Sequence, residues 1–181
     1  MRFPVTIELA GKNGQLVRLP DSSSVTIETL STGSYVAGVS LPGLSLEENA
    51  FKNWSSTDIS ATTLEPAVVN ESYSYTSSAL IEFNGGDLTV TAGHLILIKD
   101  VSGSYSFVQA NQIELNQDSL VKYTDSGIQE ELITSAYTLN ETHWVNRIDI
   151  ENVDVYLINN YIVHNPALWY YDSYDCISQA P

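Results

Sequence analysis

The stretch LINNYIVHNP occupies residues 157–166 and raises the question of what the adjacent pair His164 and Asn165 does. Tyrosine and β-branched residues lead into the pair, and these residue types favour an extended strand. An asparagine side-chain amide can attack its own backbone carbonyl and break the chain, and a neighbouring histidine can protonate the leaving amide. The stretch therefore predicts a strand that ends either in a plain polar loop or in a site that acts on the backbone.

The composition favours strands over helices. Apolar residues make up 43% of the 181-residue chain, which is enough for one domain with a hydrophobic core. Eleven tyrosines and abundant serine, threonine, valine and isoleucine suit a pleated, half-buried surface. Short apolar runs alternate with turn residues, and hairpin turns are predicted at AGKNG (10–14) and NGGD (84–87). We expect an all-β fold of the sandwich or barrel-like kind.

One long polar segment, residues 42–66, resists assignment from its sequence. It contains few apolar residues at a regular spacing and several turn formers. We predict either a short helix around Glu47 to Trp54 or an irregular surface excursion.

The net charge of −15 comes from 22 acidic residues against seven lysines and arginines. Such a chain repels phosphates, so nucleic acid and anionic membranes are not expected as partners. The single cysteine, Cys176, excludes an internal disulfide framework and a cysteine-based zinc site. The chain has no apolar run typical of a signal peptide or membrane span, and no phosphate-binding or calcium loop. We expect a soluble protein that is made in the cytoplasm and needs no cofactor or metal.

Four short motifs follow one another in a fixed order along the chain. They are Ile27, Leu30, Gly33, Ser34 and Val36; Thr91-Ala92-Gly93-His94; Ala110, Ile113, Asp118 and Leu120; and VDVYLINNYIVHN (153–165). Together they resemble the Hint domain of inteins and Hedgehog autoprocessing proteins, and the resemblance covers about residues 15 to 165. It implies an all-β, horseshoe-like fold of short antiparallel strands with pseudo-twofold halves.

The resemblance also implies a role for each site residue. Thr91 and His94 would contact the amide at the N-terminal splice junction, with His94 as its proton donor. His164 would assist cyclisation of Asn165. The neighbouring segment that shapes the site in relatives contains Asp154 and Tyr156.

Two departures from the family pattern suggest that this site is vestigial. The N-terminal segment has no cysteine, serine or threonine between Glu8 and Leu19, so no nucleophile opens the domain. Asn165 is followed by Pro166, which carries no nucleophile to receive an acyl group. We therefore expect no active catalytic residue and no enzyme activity.

The last sixteen residues, PALWYYDSYDCISQAP (166–181), differ from the Hint-like domain predicted over residues 1–165. Aromatic and acidic residues crowd together there, and such a surface usually packs against the domain or a partner. The predicted interface residues are Leu168, Trp169, Tyr170, Tyr171 and Tyr174.

The missing nucleophiles and the aromatic tail favour a non-enzymatic assembly component, and the resemblance implies a structural component of a tailed-phage virion, in its tail, neck or baseplate region. Hint-like modules also occur in structural proteins of such virions. The expected partners are other protein subunits, further copies of the chain included, and the expected location is the virion.

Four acidic residues, Asp118, Asp125, Glu130 and Glu131, could supply a carboxylate pair of the glycosidase type, although an acidic surface provides such pairs by accident.

Two alternatives stay open at this point. One is a self-processing protein that cleaves after Asn165. The other is a secreted or surface carbohydrate-binding β-domain, whose sugar platform would use Trp54, His143, Trp144 and Trp169.

Overall fold

A computed structural model describes residues 8–47, 50–151 and 154–165, together with the backbone of two short strands at residues 4–6 and 170–172. Strands dominate these residues, as the composition predicts. The strands are β1 Pro4–Thr6, β2 Gly11–Lys12, β3 Leu16–Arg18, β4 Ser24–Thr26, β5 Tyr35–Ser40, β6 Thr63–Ser77, β7 Leu80–Phe83, β8 Leu88–Thr91, β9 Leu95–Lys99, β10 Tyr105–Gln109, β11 Ser119–Thr124, β12 Gly127–Leu132, β13 Ala136–Leu139, β14 His143–Ile150, β15 Val155–Ile158, β16 Tyr161–His164 and β17 Tyr170–Asp172. Three single-turn 3₁₀ helices accompany them in the described ranges, at Ile27–Thr29, Ala50–Lys52 and Ala110–Gln112.

The strands pair into antiparallel sheets. One sheet has the order β10-β9-β11-β16-β15-β3-β4, with β12 paired to β11 and an additional β9–β16 pairing. A second sheet has the order β13-β7-β8-β2-β14-β6-β5. In a separate ribbon, β1 pairs with β17. The 15-residue β6 pairs with β5 through its first part and with β14 through its second, and so links distant parts of the chain.

The centre of the first sheet is buried on both faces. The runs VYLI of β15 and YIVH of β16 are buried at every position, and so are the first four residues of β9. Successive strand residues point to opposite faces. Ile96 and Ile98 accordingly pack into one hydrophobic cluster, whereas Leu95 and Leu97 pack into another. These continuous apolar runs thus form the wall between two cores.

Two similar turns mark the two halves of the fold. The 3₁₀ turn at Ile27–Thr29 precedes a loop in which Gly33 has φ +92°, and β5 follows. The 3₁₀ turn at Ala110–Gln112 precedes a loop in which Asn116 has φ +61°, and β11 follows. The first and third sequence motifs are therefore the same structural unit used twice, which confirms the predicted pseudo-twofold architecture.

One of the two predicted hairpins is confirmed and the other is wrong. β7 and β8 pair across the NGGD turn, with Leu80 opposite Thr91 and Phe83 opposite Leu88. The strands beside AGKNG do not pair with each other, because β1 pairs with β17 while β3 pairs with β4 and β15. Turn residues fix a reversal of the chain, but the burial of each strand face decides its partner.

Two further segments differ from the sequence prediction. For residues 42–66 we predict a short helix or an irregular excursion; the described part contains a single 3₁₀ turn at Ala50–Lys52 and is otherwise irregular up to Thr63, where β6 already begins. The stretch EELITSAYTL (130–139), whose residue types favour a single strand, belongs to two strands in different sheets, β12 and β13. No helix in the described part of the chain is long and apolar enough to cross a bilayer.

Candidate functional site

The pairing of β9 with β16 brings the two central sequence motifs together. Leu95, the first residue of β9, lies directly opposite His164, the last residue of β16. His94 and Asn165 are the next residues beyond this pair on the two strands, and paired strands lie about 5 Å apart. The His94 amide donates to the Thr91 carbonyl at 3.0 Å, so a tight turn holds Thr91 at the same edge of the sheet. Thr91, His94, His164 and Asn165 are all buried in one region.

The hydroxyl of Thr91 holds the N-terminal segment. It donates to the Glu8 carbonyl oxygen at 2.8 Å and accepts from the Ala10 amide at 3.1 Å. The Thr91 amide also donates to the Ala10 carbonyl at 2.9 Å. The residue between these two contacts is Leu9, whose side chain is fully buried. Thr91 therefore clamps the main chain on both sides of an apolar residue.

The imidazole of His94 is fully buried and neutral. Its Nδ1 lies 3.1 Å from the Leu95 carbonyl oxygen, which can only accept, so Nδ1 carries the proton. Nε2 is buried and has no hydrogen-bond partner in the described part of the chain. Burial lowers the pKa of His94 to about 4, against the opposing effect of the hydrogen bond to the Leu95 carbonyl; nearby His164 and Arg147 contribute smaller decreases.

The carbonyl oxygen of Asp154 fixes both His164 and Asn165. It accepts from His164 Nδ1 at 2.8 Å and from the Asn165 amide at 2.7 Å. The His164 ring lies between two aromatic rings, with centroid distances of 5.1 Å to Phe51 and 5.0 Å to Phe107. Burial lowers the pKa of His164 to about 4, so this ring too is neutral near pH 7.

The side chain of Asn165 is fully buried and held from behind. Its Nδ2 donates to the carbonyl oxygen of Ile148, which lies on β14. Its Oδ1 is buried without a hydrogen-bond partner among the described residues. A cyclising asparagine must turn its side-chain nitrogen toward its own carbonyl carbon, and here that nitrogen is committed to another strand.

Leu9 and His164 share an apolar environment. Leu9 belongs to the hydrophobic cluster that also contains Phe51 and Phe107, the two rings that contact His164. The segment clamped by Thr91 therefore lines the same site as the histidine-asparagine pair. The sequence motifs single out neither Leu9 nor the aromatic rings, because apolar residues at these positions look like ordinary core.

The ion pair of Arg147 and Asp149 on β14 adjoins the site, and the sequence motifs do not predict it. Arg147 Nη2 lies 3.3 Å from Asp149 Oδ1, and both side chains are largely buried. Burial raises the pKa of Asp149, and the Arg147 charge opposes that shift. The Tyr156 hydroxyl is buried without a partner in the described residues, and burial followed by the Asp149 charge raises its pKa. The alternation of polar and apolar residues in WVNRIDI could have predicted this pair, because it places both charged side chains on one face of the strand.

Asp118, one of the candidate acids, is a turn cap. Its Oδ2 accepts from the Glu114 amide at 2.9 Å. In the other half of the fold, Ser34 Oγ accepts from the Ser31 amide at 3.1 Å in the equivalent turn. Asp118 therefore stabilises a loop and is not free for acid–base chemistry.

The other three candidate acids do not form a carboxylate pair either. Glu130 and Glu131 are neighbours on β12 and point to opposite faces of the sheet. Each of the three acids has its own cation, Arg18 for Asp125, Lys99 for Glu130 and Lys122 for Glu131, at N–O distances of 2.6, 3.1 and 3.8 Å. Among the residues that the structure describes, no group of three or more histidine, cysteine or acidic side chains could hold a metal ion.

The tryptophans do not gather into a platform in the described ranges. Trp54 is buried and donates its indole N–H to the Pro42 carbonyl at 3.0 Å. Trp144 is exposed on β14, next to the partly buried His143. The third tryptophan, Trp169, lies outside the described residues.

The predicted interface in the C-terminal tail is only partly described. The backbone of Tyr170 and Tyr171 belongs to β17, which pairs with residues 4–6 of β1. The other predicted interface residues, Leu168, Trp169 and Tyr174, lie outside the described residues.

Comparison with known proteins identifies the fold. No family model matches the sequence, and no curated protein matches it. Solved structures do match: a bacterial intein-like domain from Clostridium thermocellum has a TM-score of 0.61 at 19% identity, over 87% of this chain and 99% of that one. A DnaB intein from Synechocystis sp. PCC 6803 has a TM-score of 0.61 at 17% identity, over 86% and 96% of the two chains. The TvoVMA intein has a TM-score of 0.62 at 14% identity, over 86% and 97%.

The chain therefore has the horseshoe-like, all-β fold of a Hint domain, which confirms the resemblance seen in its motifs. At these identities the likeness concerns the fold alone. The absence of a matching family model is compatible with the degenerate form of the motifs.

Proposed function

We propose that this protein is a non-enzymatic structural component of a tailed-phage virion, built on a Hint-like scaffold that no longer processes itself. One observation carries the non-enzymatic part of the proposal. The residue clamped by the Thr91 hydroxyl is Leu9, a buried apolar side chain with no atom that can attack a carbonyl. The position suited to a nucleophile holds none.

The state of the two histidines supports the same proposal. His94 and His164 are neutral near pH 7, and each donates its single ring proton to a main-chain carbonyl. In this resting arrangement neither ring has a proton to give to a leaving amide. Both histidines act as structural residues that join the ends of β9 and β16.

The residue after Asn165, Pro166, also supports a non-enzymatic role. Pro166 has no hydroxyl or thiol, so an acyl group could not be transferred to it. Its ring also restricts the backbone angles of the preceding residue. Splicing chemistry therefore lacks an acceptor on this side.

The assembly role is supported by surface chemistry and by the resemblance. The charge of −15 excludes a polyanion as the natural partner, and the aromatic tail offers anchors typical of protein interfaces. Hint-like modules without splicing activity suit a structural use in virions. The partners would be other subunits of the particle, with Trp169 and Tyr170 as anchors.

The test is a particle-association experiment. Full-length protein should co-sediment with particles produced by the genes that neighbour its own, and deletion of residues 167–181 should abolish the association. Tyr137→Ala, which removes an exposed aromatic side chain on β13, is the matched control and should keep it. Association that survives the deletion would refute the docking role of the tail, and a gene neighbourhood without virion genes would refute the virion assignment.

Self-processing after Asn165 is the second candidate, and one observation favours it. The Asp154 carbonyl accepts hydrogen bonds from both the His164 ring and the Asn165 amide, so it holds the two residues that cyclisation would need side by side. Intact-mass measurement after long incubation, with and without a thiol and across a range of pH, decides between the two. We expect an unbroken chain. A fragment ending at Asn165, absent from the His164→Ala and Asn165→Ala variants, would overturn the proposal in favour of self-processing.

A further inference from the structure

The chain contains two asparagine-glycine pairs, Asn13–Gly14 and Asn84–Gly85, which differ in how the fold restrains them. At such a pair the glycine amide nitrogen can attack the asparagine side-chain carbonyl carbon, because glycine has no Cβ to obstruct the approach. The new N–C bond closes a succinimide and the C–NH₂ bond breaks, releasing ammonia. Water then opens the ring to aspartate or isoaspartate. Both pairs lie in turns, so sequence alone predicts similar reactivity.

Asn84 is locked by its side-chain hydrogen bonds. Its Oδ1 accepts from the Thr134 amide at 2.9 Å and from the Ser135 amide at 3.3 Å. Its Nδ2 donates to the Leu132 carbonyl at 3.1 Å. The side chain connects the β7–β8 turn to the segment that follows β12, and the reaction would have to break these bonds first.

Asn13 lacks this restraint. Its Oδ1 is buried without a hydrogen-bond partner in the described part of the chain, which destabilises the unreacted side chain. The attacking nitrogen, that of Gly14, is held only by an exposed hydrogen bond to Glu28 Oε1 at 2.9 Å. Gly14 has φ +95° and Gly85 has φ +77°, and neither has a heavy atom within 4 Å of where a Cβ would be. Both turns therefore have room to change conformation, and the difference between the two pairs lies in the hydrogen bonds of the asparagine side chains.

We propose that Asn13 is a spontaneous modification site, at which the Asn13–Gly14 pair converts to aspartate or isoaspartate while Asn84–Gly85 stays intact. Isoaspartate would add a methylene to the main chain directly after β2. The Asn13 amide donates to the Trp144 carbonyl at 3.0 Å, so the change falls where β2 meets β14. β2 directly follows the segment that Thr91 binds. Isoaspartate formation in this turn would therefore weaken the packing of that segment against the Hint-like site.

The test compares the two pairs within one sample. Folded protein is incubated in mildly alkaline buffer, and peptide mass spectrometry follows the mass gain of deamidation at each asparagine. We expect Asn13 to react about tenfold faster than Asn84 or more, because each restraining hydrogen bond contributes on the order of 1 kcal/mol and about 1.4 kcal/mol is a factor of ten. In concentrated urea the two pairs should react at similar rates.

Two variants make the test specific. Asn13→Gln should remove the fast mass gain and leave the slow one at Asn84 unchanged. Asn13→Asp reproduces the added charge without lengthening the main chain, so it separates the effect of charge from that of isoaspartate on thermal stability. Equal rates at Asn13 and Asn84 in folded protein, or an Asn13 that resists while the urea-unfolded chain reacts, would overturn the proposal.

Discussion

The Thr91 hydroxyl donates a hydrogen bond of 2.8 Å to the main-chain carbonyl oxygen of Glu8, although the two residues are 83 positions apart. This contact ties the N-terminal segment to the turn between β8 and β9. Leu9 belongs to the hydrophobic cluster that also contains Phe51 and Phe107, the two rings that contact His164. The Thr91 contact thus fixes the main chain on both sides of an apolar residue, Leu9.

Thr91→Val should destabilise the fold. Valine matches threonine in shape but leaves the Ala10 amide and the Glu8 carbonyl without their partner. An unsatisfied buried polar group costs about 1–3 kcal/mol, so we expect a loss of about 2 kcal/mol in the free energy of unfolding. Urea denaturation measures it. Thr91→Ser keeps the hydroxyl and should lose less; equal losses for the two variants would contradict the clamp.

The sequence predicts much of this fold because its signals lie in side-chain patterns. The structure confirms the apolar runs as the buried strands β9, β15 and β16 and the NGGD turn as a hairpin, and it contains the motifs in the expected order. The pairing of β1 with β17 and of β2 with β8 and β14 was not predicted. Pairing over such distances depends on which strand faces are left uncovered by the rest of the fold, and local residue patterns do not encode that.

In the site, too, some features can be predicted from the sequence and others cannot. Thr91, His94, His164 and Asn165 stand out in the sequence as reactive residue types. The groups that fix them are mostly main-chain carbonyls, those of Glu8, Leu95, Ile148 and Asp154. Every residue has a carbonyl, so composition and spacing carry no sign of which ones a fold will use.

Gly11→Ala should strain the strand that leads into the site. A Cβ at Gly11 would lie 3.1 Å from Ile158 Cδ1 and 3.2 Å from Ile27 Cδ1, closer than ordinary contacts allow. Overpacking of this kind costs about 1–3 kcal/mol. Ile158→Val removes the nearest methyl group, so the Gly11→Ala/Ile158→Val double variant should be more stable than the sum of the single losses predicts. Strict additivity in thermal or urea unfolding would count against the close contact.

Stability should fall as the pH drops below the ordinary histidine pKa of 6.5. In the folded protein the pKa values of His94 and His164 are lowered to about 4, so the unfolded chain binds more protons between these limits. The contribution of the two neutral rings to the free energy of unfolding is fully present above pH 6.5. It is lost as the pH falls through about 4, by roughly 3 kcal/mol for each ring. Urea denaturation at several pH values across this window measures the slope.

The control for that slope is a pair of variants that cannot titrate. His94→Asn and His164→Asn each keep a side-chain N–H that can donate to the same carbonyl while removing the ionisable ring. Each should flatten the pH dependence of unfolding in this window. His143→Gln, at a partly exposed position on β14, controls for the loss of an imidazole as such. A slope that both asparagine variants leave unchanged would assign the acid sensitivity to other groups.

Arg147→Met should destabilise the fold through Asp149. The two charged groups lie 3.3 Å apart and are largely buried, and removing one leaves the other uncompensated. Such losses amount to about 3 kcal/mol. Adding Asp149→Asn should recover part of the stability, because it removes the stranded charge. The deficit of Arg147→Met should also shrink in acid, where Asp149 takes up a proton; a deficit independent of pH would point to lost packing instead.

Leu9→Cys should introduce a trace of self-processing chemistry at the peptide bond after Glu8. The thiol would attack the Glu8 carbonyl carbon, which the Thr91 hydroxyl already polarises, and the peptide bond after Glu8 would be exchanged for a thioester. Hydroxylamine would then release a fragment ending at Glu8, slowly, because the neutral His94 has no free proton for the leaving amine. Leu9→Ala creates a similar cavity without a thiol and should stay intact, as should Leu9→Cys combined with Thr91→Val. A folded Leu9→Cys protein that never releases the fragment would mean that the Glu8 carbonyl is not placed for attack, and that more than a nucleophile is missing from this site.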